Sequence, residues 1–228
     1  MSEPAAGAGS DSTTAILGVG HIGSTLARLL VNGGEAVVVA STTRSKAQAL
    51  ADELGPLARS DSVAGAIAGA DTVVLALWLD AIKEVVPRQA ASLDGKVVVD
   101  PSNPIAFDEA GQVTRTLPEN QSAGSVVASL LPPGAHYVKA FGTLAADALG
   151  AGANRAPRRA TLFYVTDDDA GAETVERLIQ AAGFDPLKAG GTADAGRIEA
   201  PGGDLHQFGL GGQLVDLDQA RAAVAAKP

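Results

Sequence analysis

Thr14-Ala15-Ile16-Leu17-Gly18-Val19-Gly20-His21-Ile22-Gly23 sets the reading of the whole chain. A short apolar run ends in three spaced glycines, and an amphipathic segment begins at once, the order strand, glycine turn, helix. The glycines act differently. Gly18 permits the tight turn, Gly20 lets the backbone approach a pyrophosphate, and Gly23 lets the helix lie close to the strand. The free N–H groups at the start of the helix then face an anion. A Gly-x-Gly-x-x-Gly string alone says little in a chain with 27 glycines. Between a strand and a helix it specifies dinucleotide binding.

Working outward, Ile22, Leu26, Leu29 and Leu30 recur at helical spacing over 22–32, and Asn32-Gly33-Gly34 ends that helix. The apolar run within Glu35–Ala40 suits a strand covered on both faces, which belongs to a parallel sheet. The next stretch, Ser41-Thr42-Thr43-Arg44-Ser45-Lys46, selects the nucleotide. An NAD site carries an acid near this strand end to accept the ribose hydroxyls, yet no acid follows until Asp52. Hydroxyls of Ser41, Thr42 and Thr43 and the charges of Arg44 and Lys46 match instead a ribose phosphate, each charge-assisted bond contributing about 1.5–3 kcal/mol. The expected nucleotide is therefore NADP(H). In the plainer alternative, Thr43 caps the next helix and the two cations are solvated.

That helix is expected over Ser45–Leu54, followed by a short strand over Leu57–Ser60, a small helix over Ser62–Gly69 and a buried strand over Thr72–Trp78. Ligands of open α/β sheets lie beyond the carboxyl ends of the strands, so Leu77 and Trp78 are candidate contacts of the nicotinamide half. Alternatively, Trp78 packs under the helix expected over Asp80–Ala91. A strand over Lys96–Asp100 leads into Pro101-Ser102-Asn103-Pro104, where Asn103 offers a carboxamide to the nicotinamide or closes a turn. The alternation predicts a doubly wound parallel α/β sheet of Rossmann type, with a nucleotide-binding domain over 13–105 and a small α/β extension over 106–228 on the same sheet. In the extension, Phe107–Ala123 reads as a surface excursion, Ser125–Leu131 as a helix, and His136–Phe141 as a strand. A loop over Gly150–Arg159 carries the compact cluster Arg155, Arg158 and Arg159, and Thr161–Val165, Ala170–Ala182 and Asp185–Lys188 repeat strand, helix, strand. Clustered glycines then interrupt short helices, and Leu214–Ala226 is a final one.

Composition narrows the function. The chain has 228 residues, no cysteine and a formal charge of −9, which exclude disulfides, thiolate metal sites and a broad basic face for nucleic acid. The first 12 residues read as a disordered tail without the features of a secretory signal, and no apolar run approaches the roughly 20 residues of a membrane span. A cytoplasmic protein with no membrane and no nucleic-acid partner is expected. The three histidines, His21, His136 and His206, match no metal-ligand spacing and read as structural or solvated, with His21 covering the pyrophosphate.

Taken with Asp100–Pro104 and Val138-Lys139-Ala140-Phe141-Gly142-Thr143, the glycine turn and the Ser41–Lys46 stretch resemble the NADPH-dependent coenzyme F420 reductase family. The resemblance implies a homodimer in which a deazaflavin ring stacks over the nicotinamide. It places the phosphates on Gly20, His21 and Ile22, the ribose phosphate on Ser41, Thr42, Arg44 and Lys46, and the nicotinamide against Leu77, Trp78 and Asn103. Lys139, Ala140 and Phe141, continuing to Thr143, become the deazaflavin wall, and Arg155, Arg158 and Arg159 a reserve of charge for its acidic tail. Gly142 departs from the Asn common at that motif position. The implied reaction is direct hydride transfer between NADPH and coenzyme F420 or FMN, with no acid or base required of the protein. Reduction of a small imine, carbonyl or free flavin, with Lys139, Tyr137 or His206 as proton donor, and a non-catalytic NADPH-binding module are the competing expectations.

Overall fold

The computed structural model describes residues 12–226, so the tail expected over 1–12 lies, except for Ser12, outside the described residues. The elements in chain order are β1 Thr13–Leu17, α1 His21–Asn32, β2 Ala36–Ala40, α2 Arg44–Leu54, β3 Ala58–Asp61, α3 Val63–Ala68, β4 Thr72–Leu75, α4 Leu79–Leu93 and β5 Val97–Asp100. There follow β6 Ile105–Phe107, β7 Val113–Arg115, α5 Ala123–Leu130, β8 His136–Lys139, α6 Ala146–Gly152, β9 Thr161–Val165, α7 Asp169–Ala181, β10 Asp185–Gly190, a 3-10 segment Thr192–Ile198, and α8 Leu217–Ala225.

Eight strands form one sheet in the order β10-β9-β8-β5-β4-β1-β2-β3. The strand order reverses at β1, which pairs β2 on one side and β4 on the other, both parallel. Alternation along these strands explains the two covered faces. Ile16, Val37 and Val39 point into a core with α1, α2, α6 and α7, whereas Ala15, Leu17, Val38 and Ala40 point into a second core with α3, α4 and α5. A strand buried on both sides has no polar position to spare, which is why β2 reads Ala-Val-Val-Val-Ala.

The sheet is not parallel throughout. β9 meets β8 in the opposite direction through the single pair Lys139 and Val165, and β10 follows β9 in parallel. The last two strands therefore run against the other six. Their outer face is closed by the 3-10 segment and α8 around Phe163, Val165, Ile198, Leu205 and Ala220. The polar stretch after β5 is not a bare excursion either: β6 and β7 form an antiparallel hairpin. Its turn is closed by the Asp108 carboxylate, which accepts from the N–H groups of Ala110 and Gln112. After Gly190 the described chain is mostly turns, with one 3-10 segment and α8 in place of several short helices.

Candidate functional site

Four strand ends, those of β1, β4, β5 and β8, lie side by side because the strands are neighbours in the sheet. At about 4.8 Å per strand they span roughly 14 Å, a scale suited to half a dinucleotide. At the first end Gly18 adopts φ +99°, and a Cβ there would sit 2.2 Å from the Ala76 carbonyl oxygen at the end of β4. A Cβ on Gly23 would sit 2.0 Å from the Gly18 carbonyl oxygen, so helix and turn touch through bare backbone. Gly20 differs: it is exposed, and a Cβ there would meet nothing within 4 Å. The room kept at Gly20 faces outward, where a phosphate can approach the backbone.

Helix ends carry the electrostatics. The first N–H groups of any α-helix lack intrahelical acceptors and bear partial positive charge. Sequence usually answers with a capping side chain or an acid, and here Ser62, Ser122, Asp168 and Asp216 cap α3, α5, α7 and α8, while Asp80 and Asp147 stand in the first turns of α4 and α6. Among the described α-helices only α1 and α2 have neither. α2 goes further, with Arg44 and Lys46 in its first turn. Cations at that end oppose the helix dipole by about 0.3–1 kcal/mol each, an arrangement that an external anion reverses.

Thr42, Thr43, Arg44, Ser45 and Lys46 are exposed, and the Ser41 hydroxyl accepts from the Thr43 N–H at 3.2 Å. Thr43 occupies the N-cap position of α2, but its hydroxyl makes no capping bond, so the plainer reading of that residue does not hold. Arg44 and Ser45 border a hollow of about 370 Å³ with Gln48, Ser60 and Asp61. Sequence reasoning passes over the last three, since they meet only in the fold, where the Ser60 hydroxyl donates to Gln48 Oε1 at 2.7 Å.

The residues expected to meet the nicotinamide divide. Leu77 borders the turn, with Cδ2 3.0 Å from the place a Gly18 Cβ would occupy. Trp78 does not pack under α4: it stands at the helix N-cap, 59% exposed, with its ring edge-on to Phe107. The Asn103 carboxamide is committed to the frame, donating to the Gly142 carbonyl at 2.9 Å and accepting from the Ala200 N–H at 2.7 Å. It closes a turn between three segments. The hydroxyls of Ser102 and Thr143, at the ends of β5 and β8, are covered and lack a hydrogen-bond partner.

The expected deazaflavin wall is not a surface. Lys139, Ala140 and Phe141 are 1%, 0% and 0% exposed. Lys139 Nζ lies 3.1 Å from Asp100 Oδ2, 3.3 Å from Glu199 Oε1 and 2.6 Å from the Ser102 carbonyl oxygen. The Tyr137 hydroxyl donates to the same Asp100 oxygen at 2.9 Å, and burial first, then the Asp100 charge, pushes its pKa far up, so it stays protonated. Phe141 turns the chain at φ +63°, a left-handed backbone that costs a non-glycine residue about 1–3 kcal/mol and is imposed by its surroundings. The Gly142 departure has a steric cause as well: a Cβ there would sit 2.5 Å from the Pro101 carbonyl oxygen.

The histidines divide as follows. His21 is exposed at the start of α1, and His136 Nδ1 pairs with Asp168 at 2.8 Å. His206 is 4% exposed, and burial depresses its pKa to about 4. Its Nδ1 accepts from the Phe208 N–H at 3.3 Å, which leaves the ring proton on Nε2. The arginine cluster lies elsewhere. Arg158 is held by Asp216 and Asp218, and Arg155 by the carbonyls of Leu214 and Arg158. Arg159 borders a hollow with Leu29, Asn32 and Gly33, at the far end of α1 from Gly20. That is some 18 Å along the helix axis at about 1.5 Å per residue.

Comparison with known proteins agrees with this architecture. Residues 13–104 match the family model described as NADP oxidoreductase, coenzyme F420-dependent. The chain is 30% identical to a crystallised hypothetical protein, SMa0349, from Sinorhizobium meliloti, covering 84% of this chain and 91% of that one with a TM-score of 0.74. A candidate F420-dependent NADP reductase from Arthrobacter sp. FB24 is 26% identical, with 81% and 87% covered and a TM-score of 0.68. The rat metalloreductase STEAP3 is 30% identical over 185 residues, 81% of this chain, although the chain spans only 35% of its length. Among the described residues no helix is long and apolar enough to cross a membrane.

A glycine turn at the reversal point of a mostly parallel sheet, with two uncapped, acid-free helix starts, defines a Rossmann-type fold, and the family model that matches it is one of NADP oxidoreductases. Residues 13–104 belong to the family described as NADP oxidoreductase, coenzyme F420-dependent.

Proposed function

We propose that this chain binds NADPH across Gly18–Gly23 and Ser41–Lys46 and catalyses hydride transfer between it and coenzyme F420 or a related flavin-type ring. The observation that carries the nucleotide half is the first turn of α2, where Arg44 and Lys46 crowd an uncapped, acid-free helix start. The free N–H groups of His21 and Ile22 receive the diphosphate beside the open space at Gly20, and the hydroxyls of Thr42 and Thr43 and the two cations receive the ribose phosphate.

The chemistry supplied by the bound partners is hydride donation from nicotinamide to the acceptor ring, with the accompanying proton taken from water. The residues of the chain position the two rings and exclude solvent between them, an effect worth roughly 7–11 kcal/mol in well-oriented cases. Burial of the candidate proton donors speaks against a small imine or carbonyl as acceptor. Tyr137 and Lys139 are enclosed in a network with Asp100, and His206 is buried with its Nδ1 engaged.

The test is NADPH oxidation followed at saturating nucleotide with F420, FMN, a simple ketone and a cyclic imine. Turnover with F420 or FMN supports the reading. Turnover with the ketone or imine alone overturns the acceptor class, and NADPH binding without oxidation by any of the four assigns a non-catalytic role.

A further inference from the structure

Exposed apolar side chains scattered singly need no explanation, whereas ones that stand together mark a place of contact. Trp78 and Phe107 are 59% and 57% exposed, and their rings meet edge to face, 6.0 Å apart at 88°. Neither ring is loose. Trp78 begins α4, one residue after the Leu77 that touches the glycine turn. Phe107 ends β6, and the hairpin that carries it is anchored at its base: the Thr116 N–H donates to the Pro104 carbonyl, and Arg115 donates to the carbonyls of Leu117, Gln121 and Pro201. Its tip is closed by Asp108. Trp78 is thus presented just past the end of β4, and Phe107 from the hairpin that follows β5, the neighbour of β4 in the sheet.

We propose that Trp78 and Phe107 form the seat for the acceptor, an L of two aromatic walls that takes a flat, multi-ring conjugated system. This rests on the reading that the acceptor is flavin-type. A planar ring lies on one wall with its edge against the other, the offset and perpendicular arrangements that aromatic groups prefer. A small ketone or imine has too little surface to cover both. Rigid anchoring matters as much as chemistry, because walls already in place lose little freedom when the ring arrives. A second copy of the chain is the other conceivable occupant. The two rings together expose on the order of 200–300 Å², well short of the roughly 800 Å² per partner that a stable interface buries.

Trp78 is the single tryptophan of the chain, so its emission reports on this corner alone. FMN and coenzyme F420 are each titrated into the protein with and without saturating NADP+, reading tryptophan emission and, independently, calorimetric heat, for the wild type and for Phe107→Ala. The expected result is saturable quenching by at least one of the two, with an affinity at least about fivefold weaker in Phe107→Ala, the scale of losing one aromatic stacking partner. NADPH affinity stays within about twofold, since Phe107 lies outside the phosphate and ribose contacts. Unchanged ring affinity in Phe107→Ala, calorimetric binding that leaves Trp78 emission unaltered, or no binding of either ring overturns the proposal. So does a wild-type dimer that becomes a monomer in Phe107→Ala at the same concentration, since the rings then belong to a second copy. If FMN quenches as expected but NADPH neither binds nor is oxidised, the oxidoreductase reading fails while the aromatic seat stands.

Discussion

Asp100 and Lys139 are register partners on the adjacent parallel strands β5 and β8, and their side chains meet at 3.1 Å with exposures of 0% and 1%. Glu199 joins the pair from the segment before Ala200 and accepts from the Ala123 and Gly124 N–H groups at the start of α5. Two carboxylates thus share one ammonium, balanced by backbone donors including the Ser102 N–H. The group fastens the ends of β5 and β8 to the C-terminal segment.

Removing the ammonium leaves two enclosed carboxylates without their cation. Lys139→Met is expected to lower unfolding free energy by about 3–5 kcal/mol, as breaking a buried ion pair does. Chemical denaturation measures it. Adding Asp100→Asn and Glu199→Gln should restore much of the loss, and a Lys139→Met protein as stable as wild type would contradict a structural role.

Gly20 and Gly23 should separate binding from folding. Gly20→Ala meets no protein atom within 4 Å, so its melting temperature should stay close to wild type while NADPH affinity falls at least roughly tenfold, the methyl occupying phosphate space. Gly23→Ala forces a Cβ to 2.0 Å from the Gly18 carbonyl oxygen and should destabilise the fold with or without nucleotide. Thermal melts with and without NADPH distinguish the two.

Arg44→Ala should weaken NADPH binding at least roughly tenfold, the loss of one charge-assisted bond, with little change for NADH. Because Arg44 opens α2 at the end its charge opposes, the variant should also be no less stable than wild type without nucleotide. Equal losses for NADPH and NADH in paired titrations would count against the assignment.

The pH dependence of stability should carry a mark of His206. An unfolded histidine takes up its proton near pH 6.5, whereas the buried ring resists until about 4. Between those values the unfolded chain binds more protons, so stability is full above about pH 6.5 and declines as pH falls toward 4, by up to about 3 kcal/mol. Comparing melts of wild type and His206→Gln over about pH 4–7 checks the sign: the variant should show a shallower decline.

The nucleotide half of the sheet is legible from sequence because its signals are local. Each of β1, β2, β4 and β5 is a short apolar run, and the three spaced glycines gain their meaning from standing at the junction of a strand with a helix. What sequence hides depends on distant partners. Nothing near Lys139 announces that Glu199, some 60 residues on, encloses it, so a conspicuous cation reads as a site residue. Asn103 is ambiguous for the same reason, its partners being Gly142 and Ala200. Arg158 looks available until Asp216 and Asp218 come alongside. The β6–β7 hairpin does leave a trace, an Asp108 followed by Gly111 between Phe107 and Val113, yet its three-residue strands are too short to show alternation.

The reversed direction of β9 gives the molecule a seam. Six strands are bound to one another by continuous ladders, but across β8 and β9 one rung does the joining, assisted by the Thr166 hydroxyl on the Tyr137 carbonyl and by His136 on Asp168. A zipper parts where its teeth are fewest. Amide protons of β9 and β10 should therefore trade with deuterated solvent together and earlier than those of β1 and β4, and the last third of the chain should breathe as one leaf against a quieter nucleotide half.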